Sequence, residues 1–592
     1  MESLWSVYYP KKYAHPVTDT GETLYMRIRR ISARFPNRIA IEYGSKRITY
    51  SAFMEKIEEV AGIWKKLGVV KGDTVLLTMG NNPLNIVSVY ALDKLGAVAA
   101  LAVPNLATEH FVEYANAVGA AFCVMSKNQY WNYKSVLKDT KITTLVLGEY
   151  RSMITGLNRL SIYYYELSAY DLPEPKEFPK GIRVLGWREF FAFAGDEQEA
   201  ADLECDTDNM HPAICLFPSE ASAGFKVLKL SSKSINLSMN LTEMVYMADE
   251  DLTGIPARML CLNECCFAFG LVCGVLSVLS CAQTALLYTW YDSEKILYAI
   301  SQFKPDVIIG YNSTIASINK AGSRSDVLRS VNRIIVGGGL LTSAQKALLF
   351  EIAQNSHRKM SVCSITGCDE LMTYAYAPSD LESDRLLGFP VPGVIMRVAD
   401  SETGLDVPEG AEGEIAVCTP VALTPPLSGN MKNYKKMPDG RIWFFTGKIG
   451  KQDANKMFYL VGSKAREARI GSFPIFLDMV DEAVQMTEGV VESSSVMIEK
   501  PEGPVLISAV VPSERYFYDN SLIEDLRNRI KSECEMMLHE AMRPSEITFF
   551  VSLPKTSMGR IDYEAVKEKV NLILDESNSG ELQSEKMYPS KH

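Results

Sequence analysis

Histidine is scarce, with six in 592 residues and no HExxH pair, which removes the common metal-hydrolase pattern. The 12 cysteines include no CxxC pair and no zinc-finger spacing. A chain of this length needs no disulfides, so they read as reduced core residues in a cytoplasmic protein. No concentrated basic patch exists, and the net charge is −11, so nucleic acid is not an expected partner. The N-terminal MESLWSVYYPKKYAHP lacks the charge-then-apolar layout of a signal peptide. One run, 265–291, has no charged residue and is long enough to span a bilayer. It nevertheless carries Gly270, Gly274, Ser277, Ser280, Gln283 and Thr284 and ends in the β-like piece 285–289. A buried helix followed by a buried strand is the expectation, with a membrane span as the alternative.

What is present is alternation. Leu24, Ile28, Ile31 and Phe35 recur at helical spacing before Pro36. Ser51 reads as the cap of a helix with inner face Phe53, Ile57, Val60 and Trp64, closed by Gly68. Strands are expected at 74–79, 97–103 and 121–125, with helices from Pro83 and near Thr108 between them. Residues 150–195 look irregular, and 196–209 read as an acidic surface connection. The alternation resumes with a helix at 296–303, strands at 306–310 and 333–336, the glycine run Gly337-Gly338-Gly339, and a helix at 344–354. From Gly388 to Val480 the texture is β-rich, and a compact αβ segment follows Gly462. The pattern predicts an α/β fold of mostly parallel sheets with helices, a β-rich subdomain, and a small α+β C-terminal domain. The expected boundaries are 1–462 and 463–575, with a polar, disordered tail at 576–592.

The stretch 213–235, AICLFPSEASAGFKVLKLSSKSI, runs apolar strand, small-residue loop, lysine, second apolar piece. Such a loop can bring backbone N–H groups to a phosphate chain, with Lys226 as a point charge. It gains weight from its company. Ile48-Thr49-Tyr50, Asn81-Asn82-Pro83, Gly337-Gly338-Gly339-Leu340, Thr366-Gly367-Cys368-Asp369-Glu370, the GxxGEI pattern in 409–415, Trp443 to Gly447, and LPKTSMGRI at 553–561 follow in order. Together these pieces resemble the adenylate-forming enzymes: acyl-CoA synthetases, peptide-synthetase adenylation domains and beetle luciferases. The resemblance covers nearly the whole chain.

It implies a fold and a chemistry. A large N-terminal domain precedes a small one that rotates between two half-reactions. A carboxylate attacks the α-phosphate of ATP, and a thiol of CoA or of a carrier-protein phosphopantetheine then takes the acyl group. By this resemblance Ser219, Ser222 and Lys226 hold phosphates, and Gly337, Gly338, Gly339 and Gly367 border the nucleotide and acyl group. Glu370 holds Mg2+, Lys448 stands at the ribose position, and Arg560 takes the place of the catalytic lysine. Phe267 stands near the place of an aromatic or histidine beside the acyl pocket, or is plain core.

The sequence departs from the pattern at several of these places. Glu220 and Ala223 replace loop glycines, and Lys448 replaces an aspartate that accepts from ribose hydroxyls, whereas an ammonium only donates. Ser463 replaces an arginine, Arg466 aligns with the hinge acid, and Arg560 is longer and planar where a lysine is usual. A Lys448–Glu220 pair would restore neutrality. The expected activity is that of a divergent acid–thiol ligase using ATP and Mg2+, with a carboxylic acid and an acyl or peptidyl carrier protein or CoA as partners. The alternative is a catalytically impaired protein of the same fold that binds a ligand or partner. The apolar 265–291 run leans toward an apolar acyl chain.

Overall fold

The structure, a computed structural model, describes residues 5, 9, 17–44, 46–104, 106–149, 178–194, 203–216, 227–246, 256–288, 293–312, 315, 318, 327–339, 343–353, 360–379, 381, 385–421, 431–471, 473–501, 503–517, 520–555 and 561–578. The chain divides into two compact units. The first comprises 1–397, 416–446 and 453–459, and the second 398–415, 447–452 and 460–592.

The first unit holds two sheets built from the apolar runs read above. Strands β1 (Ile39–Tyr43) and β2 (Lys46–Thr49) come first in the chain. The seven strands β3 (Thr74–Leu77), β4 (Val98–Leu101), β5 (Phe122–Ser126), β6 (Thr144–Gly148), β7 (Arg183–Gly186), β8 (Pro212–Leu216) and β9 (Leu228–Ser231) form one sheet, in the order β7-β6-β5-β3-β4-β8-β9. All its pairings are parallel except β8 with β9. The strand β7 and the helix Trp187–Ala192 lie where the sequence read as irregular. Few residues of that stretch alternate, and β7 gains its place by pairing with β6.

The second sheet carries β10 (Arg258–Cys261), β11 (Thr284–Leu287), β12 (Val307–Tyr311), β13 (Arg333–Gly337), β14 (Ser361–Cys368), β15 (Met372–Ala377) and β16 (Leu386–Pro390). Within it the order is β16-β15-β14-β13-β12-β10-β11-β1-β2. The six strands from β14 to β1 are parallel, so their carboxyl ends share one edge. Helices Ser293–Phe303 and Ser343–Ala353 cover one face, burying Ile296, Ile300, Phe303, Leu349 and Ile352 on Leu260, Ile308, Ile334 and Val362. Continuous apolar strands are what burial by helices requires.

Helix ends follow local chemistry, with one correction. The helix Tyr50–Lys66 is capped by Thr49, whose hydroxyl accepts from the Ala52 N–H at 3.2 Å, rather than by Ser51. Gly68, at φ +96°, follows its last turn as expected. The uncharged run at 265–291 forms a helix over 269–280, its first eight residues in π-helical turns, then β11. Both are buried in the first unit, and among the described residues no helix is long and apolar enough to cross a membrane.

In the second unit, strands Val490–Lys500 and Gly503–Pro512 pair antiparallel, and Glu546–Phe549 joins in parallel. Their residues alternate between two cores. Met497, Leu506 and Val510 face helices Leu477–Gln485 and Asn520–Met537. Val496, Ile498, Ile507 and Ala509 face Val566 and Val570 of helix Tyr563–Asn578. That last helix runs beyond Glu576, where the polar tail was expected to begin.

Candidate active site

The carboxyl edge of the parallel strands is where an open α/β sheet leaves a crevice, because the chain turns away in different directions after each strand. Four neighbouring ends meet there. After β10 come Asn263 and Glu264, after β12 Asn312, after β13 Gly338 and Gly339, and at the end of β14 Gly367. Tyr311 pairs with Gly337 in the ladder itself.

Asparagines fix this edge. Asn81, fully buried, donates to the Asn263 carbonyl at 2.7 Å and accepts from the Cys265 N–H at 2.7 Å. The Asn263 carboxamide oxygen accepts from the Tyr311 N–H at 3.0 Å. Asn82, beside Asn81, caps the helix Pro83–Lys94 by accepting from the Asn85 N–H at 3.1 Å. One asparagine pair thus starts a helix of one sheet layer and ties down the turn after β10 in the other, from which Asn263 reaches β12. The Asn-Asn-Pro piece was noted in the sequence only as a mark of resemblance; its positioning role needed the fold.

The glycines are held close by neighbours. A Cβ at Gly337 would lie 2.3 Å from the Phe269 ring, and one at Gly338 would lie 2.4 Å from the Tyr311 ring. At Gly339 the Asn312 carboxamide would be met at 2.6 Å. Gly338 also has φ +68°, which disfavours any side chain. The Phe269 and Tyr311 rings touch, with centroids 5.3 Å apart and planes at 31°. Phe269 is the one residue of Phe269–Leu276 that is not buried. Phe267, the aromatic singled out from the sequence, is buried at 6% exposure. Phe269 was missed because a helical phase of 3.6 does not hold through π turns. A signal did exist: three glycines in a row ask what covers them.

Glu370 lies in the turn between β14 and β15, beside Asp369. The turn is tight: Met372 has φ +59°, and a Cβ at Gly367 would fall 1.8 Å from the Met372 carbonyl oxygen. Behind it, Thr373 meets both the Cys273 thiol and the Thr242 hydroxyl at 3.4 Å, fastening β15 to the 269–276 helix. The Tyr434 hydroxyl, pushed above its ordinary range by burial, also feels Cys368 and Glu370. Cys265 and Cys266 are buried, and their thiols are pushed well above the usual range, mainly by burial. Both effects disfavour the reactive thiolate.

Other expected site residues fall elsewhere. Lys448 belongs to the second unit, in the strand Ile442–Gln452. There Glu414 of the GxxGEI pattern, buried, accepts from the Gly447 N–H at 2.8 Å and meets the Lys464 ammonium at 3.6 Å. Arg466, in the same unit, donates to Asp481 at 2.6 Å and to the Ser495 carbonyl at 3.0 Å, with its guanidinium 3.9 Å from the Tyr563 ring centroid. Ser219, Glu220, Ser222, Ala223, Lys226 and Arg560 lie outside the described residues, and with them the Lys448–Glu220 pairing. Among the described residues no group of three or more His, Cys, Asp or Glu side chains could cage a metal.

The fold is that of an α/β protein whose expected nucleotide- and acyl-bordering glycines gather at the carboxyl edge of a parallel sheet. A family model of AMP-binding enzymes matches residues 28–425, and the chain belongs to that family. The long-chain-fatty-acid–CoA ligase of Haemophilus influenzae is 20% identical to it over 580 residues, covering 95% of this chain and 97% of its own length. The D-alanine–D-alanyl carrier protein ligase of Lactiplantibacillus plantarum is 28% identical over 193 residues, but only 32% of this chain and 37% of that protein are matched. Among solved structures, the anthranilate CoA ligase AuaEII with anthranoyl-AMP superposes at a TM-score of 0.74 and 16% identity, covering 95% of this chain and 98% of its own. The O-succinylbenzoate coenzyme A synthetase of Bacillus subtilis with ATP and magnesium does so at 0.69 and 15%, covering 92% and 99%. These likenesses establish the adenylate-forming fold, an α/β architecture with a large N-terminal and a smaller C-terminal domain.

Proposed function

We propose that this protein is an ATP-dependent acid–thiol ligase. One oxygen of a carboxylic acid attacks the α-phosphorus of ATP, the bond to the β-phosphate oxygen breaks, and pyrophosphate leaves. The sulfur of CoA, or of a carrier-protein phosphopantetheine, then attacks the acyl carbon, and AMP leaves with the bonding electron pair. What carries the reading is the single edge that unites Tyr311, Gly337, Gly338, Gly339, Gly367 and Glu370 on adjoining parallel strands, in a chain of the AMP-binding family. Glycine at these places lets the Phe269 and Tyr311 rings and the Asn312 carboxamide lie directly on the backbone of this edge.

The residues divide the work. Ser219, Ser222 and Lys226 neutralise phosphate charge, and Arg560 holds carboxylate or phosphate oxygens in a bidentate fork. Glu370 suits Mg2+ as one carboxylate from a turn, since that ion keeps waters and phosphate oxygens as its other ligands and needs no protein cage. Bound there, Mg2+ would neutralise charge developing on the phosphates. Lys448 faces the ribose as a donor only. We keep the division into domains at 1–462 and 463–575; residues from Leu460 onward cluster with one another. A cytoplasmic setting fits the reduced cysteines.

Pyrophosphate exchange into ATP, run with Mg2+ over a panel of acids, tests this. Exchange dependent on one acid supports it, and CoA or a phosphopantetheinylated carrier added afterwards identifies the acceptor. A folded sample that neither exchanges pyrophosphate nor binds ATP by calorimetry up to millimolar concentration defeats it. That outcome would favour a ligand-binding protein without turnover, the reading to which Lys448, Glu220 and Arg560 point.

A further inference from the structure

We infer that the acid taken by this crevice is short and flat, a single aromatic ring bearing the carboxylate, and that Phe269 sets the limit; the inference rests on the ligase reading above. The crevice floor is covered by the protein's own rings. Phe269 rests directly on Gly337 and Tyr311 on Gly338, at distances where a Cβ would collide. Asn312 does the same at Gly339. The two rings touch, and each is only partly buried, so each keeps some open surface.

An alkyl chain passing beneath these rings would meet, among the described residues, a closely packed layer. A Cβ at Gly270 would lie 2.1 Å from the Glu264 carbonyl oxygen, and one at Gly274 would lie 2.2 Å from the Cys261 sulfur. The helix 269–276 therefore packs directly on β10 and its turn at these two glycines. On the other side, a Cβ at Gly310 would meet Ile315 at 2.8 Å. Ile315 belongs to the packed core with Leu262 and Leu260. In its described residues, 265–288, the apolar run is thus largely consumed by the core. A planar ring, by contrast, can lie against Tyr311 and the partly open Phe269 in offset or edge contact, the geometries that aromatic pairs favour.

The test uses the full chain and two acids, benzoate and decanoate. In pyrophosphate exchange, benzoate should exceed decanoate in kcat/KM by at least about tenfold, the scale on which pocket size discriminates. Phe269→Leu should shift that ratio toward decanoate. Equal or better use of decanoate, or a ratio untouched by Phe269→Leu, overturns the inference while leaving the ligase reading standing. If Phe269→Leu does not fold, Phe269→Met replaces it. If neither acid supports exchange, saturation-transfer NMR with benzoate and no nucleotide decides. Transfer that weakens in the Phe269 variant upholds the inference although the ligase reading falls, and absence of transfer overturns both.

Discussion

Asp481 offers a prediction whose sign is opposite to habit. It is a buried carboxylate paired with Arg466 at 2.6 Å, the two side chains being 13% and 11% exposed. Burial pushes Asp481 up to about 6 from an ordinary 3.8, against the pull of Arg466 and of the Ser495 N–H. The folded chain therefore holds a proton between roughly pH 4 and 6 that the unfolded chain has already released. Stability from this group is present below the unfolded value, and is lost as pH rises through the folded one. Between pH 7.5 and 5 the wild-type gain is about 1.4 kcal/mol. Asp481→Ala should cost about 3–5 kcal/mol at pH 7.5, because Arg466 is left without its counter-charge. The cost should grow by about 1.4 kcal/mol at pH 5. Hydrogen exchange of the peptides covering 477–485 and 490–500, in the full chain, reads the local opening free energy at both pH values. A cost that shrinks on acidification would mean that the ion pair, and not burial, dominates. A cost below about 1 kcal/mol would mean that the pair is solvated in solution.

Four further outcomes are expected. Asn81→Ala leaves the Asn263 carbonyl and the Cys265 N–H unpaired at about 1–3 kcal/mol each, so the melting temperature should fall together with kcat/KM; an unchanged melt refutes the tie. Gly337→Ala drives a methyl into the Phe269 ring and should cost about 1–3 kcal/mol in denaturant unfolding. Glu414→Ala frees the Gly447 N–H and Lys464, and exchange at 447–452 should rise by tenfold or more, equivalent to about 1.4 kcal/mol. Arg560→Lys with Lys448→Asp should raise pyrophosphate exchange by about 10²–10³, and no gain would mean that the defect, if any, lies in the 217–226 loop.

Much of the fold was legible because burial writes itself into composition. The strands β11 to β13 are near-continuous apolar runs, and helices such as Leu24–Arg34 show their faces by period. Gly337, Gly338, Gly339 and Gly367 were legible as a group because no other residue fits where rings and carbonyls approach so closely. Phe269 and Asn263 were not. Phe269 sits in an uncharged run where nothing sets it apart from its buried neighbours, and Asn263 matters through a bond to a residue 48 positions away. The small C-terminal sheet was found, but its strands run longer than the apolar pieces suggested. Ladder pairing carries Val490–Lys500 through the polar residues Glu492, Ser493, Ser494 and Ser495, which show no apolar alternation.

The earliest-made strand of the second sheet bears on synthesis. Thr284 donates to the Ile39 carbonyl at 2.7 Å across 245 residues, and Ile41 lies opposite Ala285. At about 5–20 residues per second, a ribosome would leave that edge of β1 without its partner for roughly 10–50 s. During that time Ile39, Ala40 and Ile41 present an apolar edge open to neighbouring nascent chains. The hairpin mate β2 begins Lys46-Arg47, two charges suited to discouraging such pairing on the opposite edge. The strand β1 thus waits for a partner some 245 residues away, so chaperone dependence during expression should concentrate on residues 39–49.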